Sequence, residues 1–193
     1  MEADPSFPEL VSLAAHDLRT PLATIHGFAQ TLARRGDLDE QKQRYIEMIV
    51  EAGRQLAELL DELGLAARIQ AGQFEPNRQP VDTAELARGA AANLGEERVL
   101  VTGEGTEVEV EVAATKRAVS ALVQAALRHG GLEQVDVRVD GPALAISPVT
   151  ASSGPVLTGD DLRDLGAAVA VRLIRQLGGS VEVDGERLNI RFA

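Results

Sequence analysis

Apolar residues near the start of the chain recur at three- and four-residue steps. Val11, Ala14, Leu18, Leu22, Ile25, Ala29 and Leu32 form one unbroken series, the spacing that lines one side of an α-helix. The pattern predicts a helix over about residues 6–35. Arg34 and Arg35 complement the electronegative end of that helix, and Gly36 predicts its stop. Asp37 with Glu40 reads as a cap and its reciprocal partner, so a second helix follows a tight turn. Its series runs Tyr45, Ile49, Ala52, Leu56, Leu59, Leu63, Ala66. Two such helices form an antiparallel hairpin, which cannot cover its own apolar stripe. A dimeric four-helix bundle is the expected solution.

Gly72, Pro76 and Pro80 break the helical pattern and mark a boundary. Asp82 then opens a helix to about Asn93, and "RVLVT" and "EVEVEV" read as strands, the second with strict alternation. A helix is predicted over 114–129, strands at "QVDVRV" and "ALAIS", and another helix over 161–177. "SVEVDGERLNIRF" reads as a hairpin turned at Asp184-Gly185. Six strands and three helices, the strands mostly antiparallel, predict a two-layer α/β sandwich. The fold class is therefore α+β: a helical-hairpin domain over residues 1–75 and a sandwich domain over 76–193.

Composition narrows the chemistry. Among 193 residues there is no cysteine, which removes disulfides, thiolate metal sites and thiol nucleophiles. A net charge of −11 and few aromatics argue against nucleic acid as a partner, because phosphate is repelled and bases find no stacking platform. No basic leader or membrane-length apolar run is present, so a cytoplasmic protein without membrane insertion is expected. No histidine pair has metal-ligand spacing, and no Ser-His-Asp order is recognisable.

What remains is "HDLRTPL", residues 16–22, with a proline inside a helix. Each residue turns about 100° around a helix, so His16 lies about 200° from Leu18 and points away from that series. Thr20, Ala23 and Gly27 continue its stripe, giving a polar histidine flanked by small residues on an open face. Asp17 can orient one imidazole nitrogen and make the other a better nucleophile. A solvent-exposed histidine without a role is the simpler reading of such a residue alone. His26, about 80° further round, reads as a solvated residue at the rim.

In this context "HDLRTPL" resembles the phosphoacceptor box of the sensor histidine kinases. "RYIEMIVEAGRQLAELLDELGLAARIQAG" continues to look like their dimerisation domain, and the likeness runs through essentially the whole chain in the same order. The resemblance implies that His16 carries the phosphoryl group, that Asp17 is its acid–base partner, and that Thr20 positions water when a partner is dephosphorylated. It also implies that the sandwich is similar to the family's ATP-binding domain.

That domain needs an asparagine for Mg²⁺, an aspartate in D-x-G-x-G for adenine, and a glycine-rich turn for phosphates. "KRAVSALVQAALRHGG" is similar to the asparagine helix, yet Ala125 stands at the asparagine position, and a methyl group cannot ligate a hard cation. After "ALAIS" comes "PVTASSGP", with Pro148 near the expected aspartate. Asp160 and Asp161 read as caps of the next helix. In "DLGAAVAVRLIRQLGG", Asp164 replaces a glycine and would repel phosphate, while Arg128 and His129 read as partners of a helix C-terminus.

The resulting reading is a homodimeric phosphorelay protein, resembling the histidine phosphotransferases of kinase-like architecture with a degenerate ATP domain. His16 would exchange phosphoryl groups with aspartates on response-regulator receiver domains. No cofactor is expected in this chain, and Mg²⁺ is expected on the receiver. Three alternatives stand beside it: an active kinase with a divergent ATP site, a non-enzymatic pseudokinase that sequesters a regulator, and a receiver phosphatase.

Overall fold

The computed structural model describes residues 6–35, 38–92, 94–95 and 97–193. They divide into two compact units, Met1–Phe74 and Glu75–Ala193. The first unit is a hairpin of two long helices, α1 (Ser6–Arg35) and α2 (Glu40–Gln70). Helix α2 is capped by Asp39, whose extended backbone lets its carboxylate accept from the Lys42 N–H at 2.9 Å. The cap assigned to Asp37 and the stop assigned to Gly36 lie outside the described residues. Helix α1 continues through Pro21, which supplies no N–H to the Asp17 carbonyl one turn earlier.

Only part of the apolar series read from the sequence closes the hairpin: of its members Leu22, Ala29 and Ala66 are buried. Leu18, Ile25, Leu56 and Leu59 are all exposed. Among the described residues the buried positions are Ala15, Leu22 and Ala29 on α1 and Ile46, Gly53, Leu65, Ala66 and Ala67 on α2. On α1 this buried line is centred roughly 50° round from the exposed Leu18 and Ile25 by helical geometry. Its small residues let the backbones approach closely. A Cβ added at Gly53 would sit 2.8 Å from His26 Nδ1. His26 is thus half-buried against α2 rather than solvated at the rim. Its Nε2 lies 2.7 Å from the Gln30 side-chain amide, and its Nδ1 is buried without a partner.

In the second unit a five-stranded sheet has the order β2-β4-β5-β7-β6. Its strands are β2 (Val99–Gly105), β4 (Val135–Gly141), β5 (Ala143–Ser147), β6 (Ser180–Asp184) and β7 (Arg187–Arg191). Only β2 and β4 pair in parallel. Along β4, Val135, Val137 and Val139 are buried while Asp136, Arg138 and Asp140 are exposed, the alternation of a sheet packed on one face. Helices α3 (Thr83–Ala91), α4 (Val112–Gly130) and α6 (Leu165–Gln176), with the short α5 (Gly154–Thr158), complete the layer of helices. Leu122, Val123, Ile146, Leu173, Ile174 and Leu188 form part of the dry core. The β6–β7 turn leaves two residues unpaired, Gly185 and Glu186, with Gly185 at φ 55° where a side chain is unfavourable.

Several boundaries differ from the sequence reading. A strand β1 (Gln79–Asp82), not anticipated because Pro80 sits inside it, pairs with β3 (Glu107–Val110) in a separate two-stranded sheet. "EVEVEV" therefore stops at Val110, and α4 starts at Val112 rather than 114. Helix α6 starts at Leu165 rather than 161, because Asp164 is its cap and accepts from the Ala167 N–H at 3.1 Å. Asp160 and Asp161 do not cap it. They accept instead from the Thr158 hydroxyl at 2.6 Å and the Arg163 N–H at 3.1 Å.

Candidate functional site

Helix α1 holds His16 one position beyond buried Ala15, so the imidazole emerges about 100° round from the hairpin interior. Its side chain is 76% exposed and that of Asp17 is 69% exposed. His16 Nδ1 lies 3.3 Å from Asp17 Oδ1. In the neutral tautomer that donates its Nδ1–H to this carboxylate, the lone pair is left on Nε2. The arrangement offers an oriented, solvent-facing nucleophilic nitrogen.

Thr20 is exposed one turn further on, and its carbonyl accepts from the Thr24 hydroxyl at 3.1 Å. Ala23 and Gly27 extend the same exposed strip, and a Cβ added at Gly27 would meet nothing within 4 Å. His16, Asp17 and Thr20 therefore share one turn of an exposed helix, bordered by small residues. Two neighbours were not singled out by sequence. Arg19 reaches across the hairpin and donates to Asp61 Oδ1 at 2.7 Å. Arg19 is visible in the box, but its partner is 42 residues away and only the tertiary fold reveals it.

The second unit presents a different picture. Ala125 is fully buried in α4. Exposed Gln124 turns its amide toward the Ser120 hydroxyl at 3.3 Å. At the end of α4, Arg128 and His129 do not simply complement the helix terminus. Arg128 Nη1 donates to Asp164 Oδ2 at 3.2 Å, and His129 Nε2 approaches the same oxygen at 2.9 Å. Asp164 is nearly buried, its other oxygen capping α6. The carboxylate thus occupies the N-terminus of α6 and holds both basic residues.

The segment after β5 is also self-satisfied. Thr150 N–H donates to the Ser153 hydroxyl at 3.0 Å, and the Ser152 hydroxyl donates to the His129 carbonyl at 2.8 Å. A nearby cavity of about 650 Å³ is lined by Pro148, Thr150, Pro155, Asp160 and Glu186 among others, with no lysine or arginine in its wall. Its two carboxylates disfavour a polyphosphate. The buried methyl of Ala125 offers no ligand to Mg²⁺, and the Asp164 carboxylate, already held by Arg128 and His129, disfavours a phosphate at its position. Among the described residues, no cluster of three or more His, Asp or Glu side chains is placed to hold a metal ion. No helix among them is long and apolar enough to cross a membrane.

Residues 9–72 match the His Kinase A (phospho-acceptor) domain family. Histidine protein kinase DivJ of Caulobacter vibrioides is 32% identical over 180 residues, which is 86% of this chain and 29% of that protein. An uncharacterized sensor-like histidine kinase of Rhizobium meliloti is 29% identical over 81% of this chain and 32% of its own length. The chain thus spans about a third of the length of these curated relatives. Among solved structures, full-length ShkA in complex with AMPPNP matches 96% of this chain and 46% of its own, with a TM-score of 0.67 at 21% identity. Acinetobacter baumannii histidine kinase AdeS matches 92% of this chain and 97% of its own, with a TM-score of 0.57 at 19% identity. These structures share the fold: a helical hairpin followed by an α/β unit resembling histidine kinase ATP-binding domains.

Proposed function

Since the chain belongs to the sensor histidine kinase family, we propose that it acts as a phosphorelay protein in which His16 exchanges phosphoryl groups with receiver aspartates. The observation that carries this reading is the His16–Asp17 contact on an open helical face. An aspartyl phosphate on a receiver would meet Nε2 with its lone pair free. As the N–P bond forms, the acyl P–O bond breaks and the receiver carboxylate leaves as an anion. The Nδ1 proton stays in place, and Asp17 stabilises the charge the ring acquires. The reverse step returns the group. The receiver supplies Mg²⁺ and most of the charge stabilisation. The strip of small residues from Ala23 to Gly27 leaves room for its docking. In this reading Thr20, one turn from His16, holds a water for loss of phosphate.

The protein works as a homodimer in this reading, with the uncovered bulky stripe of α1 and α2 as its interface. It does not draw its phosphoryl group from ATP. Ala125 and the Asp164 network support that part, since metal-mediated and charge-assisted contacts are worth about 1.5–3 kcal/mol each. A second reading, an ATP-dependent kinase, is favoured by the kinase names of the relatives and by the AMPPNP complex of ShkA.

One experiment separates the two. Purified protein is incubated with labelled ATP and, separately, with labelled phospho-receivers, and label on His16 is followed. Label is expected from the phospho-receiver alone. His16→Gln should abolish it, because an amide cannot form the phosphoramidate. Label from ATP, or calorimetric binding of Mg²⁺–ATP, restores the kinase reading. Relay between two receivers by the His16→Gln protein overturns the role of His16.

A further inference from the structure

The phosphoacceptor turn carries one cation. Residues 12–20 of α1 contain Arg19 and no other lysine or arginine, while residues 57–65 of α2 contain Glu58, Asp61, Glu62 and no basic residue. A dianionic phosphoryl group on His16 would enter an acidic neighbourhood with a single counter-charge available on these segments. Arg19 lies three residues beyond His16, so their Cβ atoms are about 5–6 Å apart on the helix surface. Around the helix, Arg19 falls between the buried line of Ala15 and Leu22 and the exposed line of His16. From there a guanidinium can reach either the neighbouring helix or the imidazole. In the unphosphorylated chain it is committed to the neighbouring helix, 2.7 Å from Asp61 Oδ1.

We propose that Arg19 is a positioning residue shared between two anions, Asp61 on α2 and the phosphoryl group on His16. With His16 bare, Arg19 ties the phosphoacceptor turn to α2. When Nε2 carries a phosphoryl group, the guanidinium divides its donors between the phosphoryl oxygens and the Asp61 carboxylate, a competition suited to its planar fork. Both side chains are nearly half exposed, so the bridge is weak enough to exchange. Asp61 thereby sets how much positive charge the phosphohistidine feels and how readily the group is given up.

This inference rests on His16 as the phosphorylated residue, so its test uses a chemical donor that needs no receiver or ATP. Potassium phosphoramidate transfers its phosphoryl group to the imidazole nitrogen as its own P–N bond breaks and ammonia leaves. The His16 signal is identified in phosphorus NMR by its absence in His16→Gln, and the second ionisation of the phosphoryl group is titrated from its chemical shift. A nearby guanidinium favours the dianion and lowers that midpoint. Arg19→Gln is expected to raise it by about half a pH unit, the size of an exposed ion pair. Asp61→Asn is expected to lower it, because Arg19 is released to the phosphoryl group. The double variant should match Arg19→Gln. A bridge that merely braces the hairpin gives the two single variants no such opposite shifts. Shifts of the same sign, an unmoved midpoint in Arg19→Gln, or a double variant that differs from Arg19→Gln overturns the proposal. The receiver-transfer experiment tests the relay reading itself, so the two can fail separately.

Discussion

The two units treat their apolar residues in opposite ways. In the α/β unit the large side chains close on one another: Leu86, Leu122, Ile146, Leu157, Ile174, Leu188 and Ile190 are fully buried. In the hairpin, Phe7, Leu10, Leu18, Ile25, Phe28, Met48, Ile49, Leu56 and Leu59 are exposed. Among the described residues of the other unit, only Leu100 and Leu162 show that exposure. A soluble chain rarely leaves such a stripe against water, because each exposed large side chain forgoes roughly 1.5–3 kcal/mol of burial. Polar groups divide in the reverse sense. Asp164, His129, Thr150 and Ser153 are satisfied internally, whereas His16 and Asp17 face solvent. One unit turns most of its large apolar groups and the polar groups of this network inward, and the other displays both an apolar stripe and an exposed imidazole beside a carboxylate.

The comparison breaks most visibly at the stripe. In an isolated hairpin Leu56→Glu replaces a half-exposed residue and costs within about 0.5 kcal/mol. In a paired bundle the same carboxylate is buried without a partner, which costs about 3 kcal/mol or more, a 100-fold or greater loss of dimerisation. Sedimentation equilibrium at micromolar concentration should show dimer for the native chain and monomer for the variant. Leu144→Ala in β5 gives the complementary result: about 2–5 kcal/mol of stability lost in the α/β unit at any concentration, with the oligomer unchanged. A native monomer removes the proposed meaning of the exposed stripe.

The self-satisfied network makes a smaller, separable prediction. Asp164→Ala removes the α6 cap together with the acceptor for His129 and Arg128. The expected loss is about 1–2 kcal/mol, mostly from the cap and the half-buried histidine, because Arg128 is largely solvated. Asp164→Asn keeps an accepting oxygen and should lose less. Urea unfolding midpoints rank the two. Equal losses would mean that the carboxylate charge, rather than the cap, holds this corner.

How far the sequence spoke for each unit follows from the range of the interactions. Helical period and turn chemistry are local, so α1, α2, β4, β5 and the Asp184-Gly185 turn were legible. Which members of an apolar stripe close the hairpin is not local. Leu18 and Ile25 outweigh Ala15 on any hydrophobicity count, yet close approach of the two helices favours the small residues Ala15, Ala29 and Gly53. The outward placement of His16 was reached from a series whose centre is displaced from the buried line, although the two share Leu22 and Ala29. It is nevertheless exposed, because it lies off both. Strand β1 was missed since Pro80 argues against a strand, but it pairs only with β3 in a two-stranded sheet, where a missing N–H is tolerated. The cap at Asp164 was obscured by two nearer-looking acids, Asp160 and Asp161. The Arg19–Asp61 bridge and the capture of Arg128 and His129 by Asp164 join residues far apart in sequence, beyond the reach of periodicity.

The smallest expected effect is that of acid, and it falls chiefly on the hairpin. Hydrogen bonds from Arg54, then from Gln55, hold the Glu51 carboxyl down from its ordinary 4.5 to about 2. The same guanidinium also binds Glu58. The Asp39 cap is lowered by its side-chain bond to Lys42. In the other unit Asp161 is lowered by Arg163, but in the loop ahead of α6 rather than in a helix. A carboxyl with a depressed folded value binds its proton first in the unfolded chain. Its stabilising contribution is therefore complete above the ordinary value and declines as pH falls from about 4.5 toward 2. These groups stand at the solvent surface, their side chains about a third to just over half exposed, so the loss is modest and shrinks in high salt. Acid also relieves the repulsion of a chain with net charge −11, which works in the opposite direction. A variant isolates the local part. Between pH 6 and pH 3, the helix-monitored urea midpoint should fall further in the native chain than in Arg54→Gln, where Glu51 has no guanidinium partner. Equal falls in both would mean that the α2 ion-pair cluster contributes nothing to folding, leaving the stripe and the caps to hold the hairpin.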